Sequence, residues 1–267
     1  MGEYKLYKNA WISTDEATET LLTNEEKGAL LSKGGLFVRN VYSFDIDEQT
    51  SFWYVIKDSF GGLEELSASA RRDVRKSLRL YNIKRLSSED MLNVAYPIFT
   101  RAQEAYRVKC NIISYDKFSD MIAQYQRQGN VHYWGVESKQ TGEIVAVAIN
   151  TLKANSCEYN TLKCLPEALK DGSQPYYGLI YEMNRYYIEE LGLSYVNDGA
   201  RSLTNHSNIQ PFLIQKFKFR KAYCKISVEY QWYLSIIVKI LYPFRRWIKH
   251  PKVSAVLNME AMVREDI

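Results

Sequence analysis

The spacing of apolar and polar positions changes several times along the chain, and each change predicts an element. Residues 36–46 (LFVRNVYSFDI) and 51–58 (SFWYVIKD) are rich in aromatic and β-branched side chains, the composition of half-buried strands, with DEQT as the turn between them. Gly61-Gly62 then breaks the chain. Over 63–82 the period becomes helical: Leu63, Leu66, Ala70, Val74, Leu78 and Tyr81 share one stripe, and Arg71, Arg72, Arg75, Lys76 and Arg79 share the opposite face. A short strand, IKRLS, follows. Ser87 and Ser88 with Glu89 and Asp90 predict a helix running to Tyr106, because a serine oxygen satisfies free N–H groups and the carboxylates oppose the helix dipole. A second helix is predicted over 115–128, stopped by Gly129.

Three strands are predicted next, VHYWGVES, EIVAVAINTL and CEYNTLK, the first two joined at Gln140-Thr141-Gly142. IVAVAI is apolar on both faces, as an interior strand requires, and EIVAVAI and CEYNTLK should be antiparallel neighbours. Residues 166–175 read as a loop, 176–191 as a helix ended by Gly192, LSYVND as a strand, 207–217 as a helix, and FRKAYCKISVEYQ as the last strand. From His132 onward the order is therefore β-β-β-α-β-α-β, preceded by two helices. That is an α/β (α+β) chain with a mixed central sheet over about residues 131–229, flanked by helices.

Composition narrows the class. A chain of 267 residues holds one large domain or two small ones and can bury about three quarters of its unfolded surface. With 46% hydrophobic and 25% charged residues it is not wholly disordered, and 13 Gly and 6 Pro exclude collagen-like repeats. The excess of 21 Tyr suits groove walls as well as core edges. A net charge of +4 is too small to argue for nucleic acid by itself. Three His and four Cys without a C-x-x-C pair give no zinc spacing, so no metal is expected and the thiols read as free and buried. The N-terminus shows no apolar signal region, and the expectation is a cytoplasmic protein.

From Trp53 to about Ile248 the chain resembles the FemAB-like branch of the GNAT acyltransferase superfamily, and more narrowly its members encoded with bacterial surface-polysaccharide genes. FWYVIKD, SASARRDVRKSLRLYNIKR, YWGVESKQTGEIVAVAIN, YEMNRYYIEELGLSYVNDGARS, NIQPFLIQKFKFRKAYCKI and KILYPFR carry the resemblance. It implies a GNAT-like sheet over residues 87–230, an N-terminal β-containing extension over 1–86 resembling a partial second GNAT half, and a helical tail over 231–267. It also implies transfer of an acyl or aminoacyl group, from acyl-CoA or aminoacyl-tRNA, onto an amine or hydroxyl of a sugar or cell-envelope precursor. Two places depart from the GNAT pattern. The pyrophosphate loop, Q/R-x-x-G-x-G/A, is replaced by Gly172-Ser173-Gln174-Pro175-Tyr176-Tyr177-Gly178, and the tyrosine that protonates a departing thiolate is replaced by Ile214. The competing reading is a binding module that kept the fold and lost the chemistry.

The segment DGARSLTNHSN crowds Asp198, Arg201, Ser202, Asn205, His206 and Asn208 between a strand end and a helix start, where α/β sheets bind ligands. Arg201 can grip a carboxylate or phosphate, and His206 can act as a base near neutral pH. The plainer reading is a helix cap with Asp198 paired to Arg201. On CEYNTLK, Glu158 and Asn160 share a face; Glu158 is a second candidate base, or a solvated edge carboxylate. Tyr176 and Tyr177 open a helix and can stack on a substrate ring or pack in the core. The basic face of residues 71–79 fits a tRNA backbone, an anionic lipid surface or plain solvation. In the tail, Ile236, Ile237, Ile240 and Leu241 share a helical face, with Trp232, Tyr233, Phe244 and Trp247 as anchors and Arg245, Arg246 and Lys249 close behind. The segment is too short to span a bilayer. Two readings bury it, against the body or in an anionic membrane surface.

Overall fold

The computed structural model describes residues 3–106, 111–201 and 209–265. Its elements in chain order are β1 (Tyr4–Tyr7), β2 (Ala10–Ser13), α1 (Asn24–Ser32), β3 (Phe37–Ile46), β4 (Phe52–Lys57), α2 (Ala68–Leu80), β5 (Tyr81–Leu86), α3 (Ser88–Glu104), α4 (Tyr115–Gln128), β6 (Val131–Ser138), β7 (Ile144–Leu152), β8 (Ser156–Cys164), α5 (Pro166–Lys170), α6 (Pro175–Asn184), β9 (Tyr195–Ala200), α7 (Ile209–Phe217), β10 (Arg220–Tyr230), α8 (Trp232–Leu241) and α9 (Pro251–Val263). They form two compact units. The first takes Met1–Val55, Ala200–His206 and Lys221–Ile267; the second takes Ile56–Gly199 and Ser207–Arg220.

In the first unit β1 and β2 form a hairpin whose two turn residues, Lys8 and Asn9, both have positive φ (48° and 66°), as a tight hairpin turn of matching twist requires. β2 runs parallel to β3, and β3 runs antiparallel to β10 with Val38 opposite Glu229. The DEQT turn therefore does not place β3 and β4 side by side, since β10 lies between them in the strand order. β1, β2 and α1 were not anticipated: strands of four residues are too short to establish a period. Thr23 starts α1 through a reciprocal pair of hydrogen bonds with Glu26. After β10 the chain turns into α8 and α9, which bury Val238, Tyr242, Leu257 and Met259 against Tyr230, with Phe37, Ile226 and Val228 packed alongside.

The second unit holds the mixed sheet the sequence predicts. β5, β6, β7 and β8 are successive antiparallel neighbours, and β9 joins β8 in parallel. β7 is buried from Ala146 to Asn150, which explains its two apolar faces. α3 and α4 cover one side through Met91, Ile98, Phe118 and Ile122, packed on Tyr133, Val147 and Ile149. Ser87 caps α3 with Asp90 in return, and Gly129 ends α4 at φ +73°. Residues 166–175 are not wholly a loop, because Pro166 at a first helical position starts α5. α6 does not stay α-helical to Leu191 but continues as a π-helical segment, Arg185–Glu190. Lys57, 2% exposed, is neutralised by Glu65 at 2.8 Å, which ties the Gly61-Gly62 turn to the strand before it. The result is a mixed sheet flanked by helices, as the sequence predicts.

Candidate functional site

β8 and β9 share only three registered pairs: Ser156 with Tyr195, Cys157 with Val196 and Glu158 with Asn197. Beyond them β8 continues to Cys164 paired with β7 alone, while β9 runs on to Ala200. At this point β8 also changes register against β7. Ile149 faces Thr161 and Asn150 faces Tyr159, which leaves Asn160 as the extra residue of a β-bulge.

The opening holds a cavity of about 630 Å³. Its walls are Tyr159 to Lys163 of β8, Asp198 of β9, and Gln174 to Tyr177 at the start of α6, with Tyr106, Leu169, Ile209 and Phe212 completing it. Each wall is held from behind. The Tyr159 hydroxyl donates to Asn184 Oδ1 at 2.9 Å, and Thr151 Oγ1 donates to Asn160 Oδ1 at 2.7 Å. The Tyr177 ring lies edge-on to Phe212, with centroids 5.1 Å apart, and against Phe217 at 5.6 Å. The Lys163 ammonium donates to the Tyr106 hydroxyl.

Three hydrogen bonds converge on Ser173 in the turn entering α6. Ser173 N–H donates to Asp171 Oδ1 (2.7 Å), Ser173 Oγ donates to Ala168 O (3.1 Å), and the Tyr81 hydroxyl donates to Ser173 Oγ (2.5 Å). Gln174 sits in the left-handed region at φ +63°, ψ +47°, uncommon for a side chain of its size.

Asp198 lines this cavity where β9 parts from β8. Burial beside tyrosine rings pushes its carboxyl up to about 7, so both protonation states are populated near neutral pH. No described residue pairs with that carboxylate. An acid–base group poised at operating pH inside a concave aromatic site can take and return a proton.

A second cleft, about 980 Å³, adjoins the same turn. Arg71, Arg72, Arg75, Lys76 and Arg79 of α2 line it together with Gly172 and Gln174, so Gln174 borders both spaces. Gly172 has φ +75°, and a Cβ there would lie 3.8 Å from Lys76 Nζ. The basic face of α2 thus borders the turn entering α6.

Of the residues singled out in the sequence, Asp198, Asn160, Tyr176 and Tyr177 come together here. Glu158 precedes the bulge, 3.5 Å from Lys153, and is not among the residues lining the cavity. Arg201 belongs to the first unit, where its guanidinium lies 4.2 Å from the Trp53 ring centre and donates to Ser51 O at 2.6 Å. Ser202, Asn205, His206 and Asn208 lie outside the described residues. Sequence reading missed Tyr106, Lys163 and Gln174, which tertiary contact alone brings to the cavity. The Gln-Pro step before two aromatic residues was the available signal for Gln174.

No family model matches the chain, and no curated protein matches it in sequence. Solved structures do. The crystal structure of FemX superposes with a TM-score of 0.57 at 12% identity, over 82% of this chain and 81% of that one. The structure of L-PGS from Bacillus licheniformis superposes with a TM-score of 0.52 at 13% identity, over 98% of this chain and 85% of that one. At such identities the likeness is one of fold: the chain shares the fold of these two structures.

Proposed function

We propose that this protein transfers an acyl or aminoacyl group onto an amine or hydroxyl of a sugar or other cell-envelope precursor, in the cavity between β8 and β9. The observation that carries this reading is Asp198, a carboxyl raised to about 7 by burial at the point where the two strands part. The acceptor heteroatom attacks the donor carbonyl and gives its proton to Asp198. The bond to the leaving thiol or alcohol then breaks, and the same proton returns to the leaving group. A bulge frees backbone from the strand ladder, and the backbone N–H of Asn160 is the candidate donor to the oxyanion. His206 is the alternative base, with Ser202, Asn205 and Asn208 toward the acceptor and Tyr176 and Tyr177 toward its ring; Glu158 and Arg201 do not line the cavity and have no role in it.

The donors in view, acyl-CoA and aminoacyl-tRNA, both carry phosphates. The basic cleft of α2 supports such a donor because Gln174 borders both that cleft and the reaction cavity. Tyr176 and Tyr177 in place of a glycine-rich loop, and Ile214 in place of a tyrosine, support the second reading, a ligand-binding module without catalysis.

The test is a transfer assay on purified protein with acetyl-CoA or aminoacyl-tRNA and amino-sugar nucleotides, read by mass spectrometry, beside thermal shift with each ligand alone. Transfer should fall about 10²–10⁴-fold in Asp198→Asn, the scale of a lost acid–base group. Thermal stabilisation by ligand without transfer selects the binding module, and neither effect with any donor refutes both readings.

A further inference from the structure

α8 has two unlike faces. Leu234, Val238 and Leu241 pack inward, with Val238 3% exposed among Tyr230, Tyr242 and Leu257. On the other side Ile236, Ile237 and Ile240 are 50%, 48% and 62% exposed. Trp232 begins this face at 75% exposed and Trp247 ends it at 76%, with Tyr233 and Phe244 between them also exposed. The apolar face thus continues through the tight turn Tyr242–Phe244 that follows α8. Isolated apolar side chains on a surface need no explanation, but a contiguous strip of this kind marks a docking face.

The charge of the same segment selects the occupant. From Gln231 to Met259 the sequence contains Lys239, Arg245, Arg246, Lys249 and Lys252 and no Asp or Glu. A second copy of the chain would bring like charge against like charge. An anionic lipid surface meets both properties: its headgroups attract the basic residues, and the interface just below them is where tryptophan and tyrosine rings settle. α8, at ten residues, rises about 15 Å, half the hydrocarbon thickness of a bilayer, and no helix among the described residues is long and apolar enough to cross a membrane. Between α8 and α9 lies an apolar groove of about 190 Å³ lined by Leu234, Ile237, Val253, Val256 and the Lys252 side chain.

We propose that the outer face of α8, with Phe244 and Trp247, lies in the surface of an anionic phospholipid bilayer, and that the basic residues of this segment hold the protein to its headgroups. This stands apart from the transfer reaction proposed above.

The experiment uses the full chain and sedimentation with vesicles, one set of equal parts phosphatidylglycerol and phosphatidylcholine, one of phosphatidylcholine alone. At low salt the protein should pellet with the anionic vesicles at least tenfold more than with the neutral ones, and ~1 M salt, which shortens the screening length to about 3 Å, should release it. Ile236→Ser/Ile240→Ser/Trp247→Ser should lose at least tenfold in binding with an unchanged melting temperature, because all three side chains are exposed. Arg246→Glu/Lys249→Glu should do the same without touching an apolar residue. Protein that stays in the supernatant with anionic vesicles at low salt, or variants that bind as well as the parent, would overturn the proposal. So would a dimer in vesicle-free solution that the triple variant dissolves, since the face would then cover a second copy.

Discussion

Asp198 and His132 are partly buried titratable groups whose effects on stability run in opposite directions. Burial raises Asp198 to about 7, so between pH ~4 and ~7 the folded chain holds a proton that the unfolded chain releases. Its contribution is present at low pH and is lost as pH rises through about 7. Burial first, and then the nearby Arg85, lower His132 to about 4. The unfolded chain takes up that proton between pH ~6.5 and ~4, so the contribution of His132 is present above that range and is lost as pH falls through it. The two slopes partly offset each other. Asp198→Asn should remove one of them: urea midpoints should show the variant gaining on the parent from pH 5 to pH 8, and losing stability more steeply than the parent on acidification below pH 6.5. A variant whose pH profile overlays the parent's would mean that Asp198 is not buried as a titrating group. Lys57 gives a second residue-scale test. With Lys57 2% and Glu65 18% exposed, Glu65→Gln strands a buried ammonium and should cost about 3–5 kcal/mol, whereas Lys57→Met leaves a carboxylate that can reach water and should cost less. Equal losses in urea melts would argue against that asymmetry.

Among the elements, the contact of α2 with α6 decides where the basic cleft lies. Gly178 permits it: a Cβ there would meet Ser77 Oγ at 2.6 Å and Ser77 Cβ at 3.2 Å. The glycine that closes the GSQPYYG motif thus serves close helix packing. Gly178→Ala should destabilise by about 1–3 kcal/mol through overpacking, lowering the melting temperature by about 2–4 °C per kcal/mol. Ser77→Ala removes a buried hydroxyl that lacks a hydrogen-bond partner, so alone it should be nearly neutral, and with Gly178→Ala it should recover part of the loss. Calorimetry of the three variants checks this, and additive losses in the double variant would count against the contact. Most elements of the second unit were legible because their periods are long and their caps local: Ser87 and Asp90 at α3, Gly129 at α4, the continuous apolar run of β7. The bulge at Asn160 and the π-helical segment after α6 were not, because both are one-residue changes of register that only packing against neighbours imposes.

For the molecule as a whole, the first unit is assembled from distant stretches. β3 finds its antiparallel partner in β10, about two thirds of the chain later, and α8 and α9 close the same core. A polypeptide of residues 1–55 alone should therefore stay unfolded, with a coil-like circular dichroism spectrum and collapsed amide proton dispersion. A folded spectrum from that fragment would show that β10 is dispensable. By the same packing, a cut before Trp232 removes core residues along with the exposed face, so surface substitutions, not truncation, separate docking from folding.

By itself the sequence determined what is local or periodic: the order of the strands and of the longer helices from β5 to β10, the caps and the interior position of β7. These follow from side chains acting on their own backbone or repeating along one face. Only the tertiary structure decided that β8 and β9 part after three pairs, that Asp198, not Glu158, lies in the cavity so opened, and that Gln174 joins it to the basic cleft. The raised Asp198 carboxyl comes from desolvation, a property of everything packed around the group from segments as distant in sequence as Tyr106 and Phe212, and no local pattern encodes it.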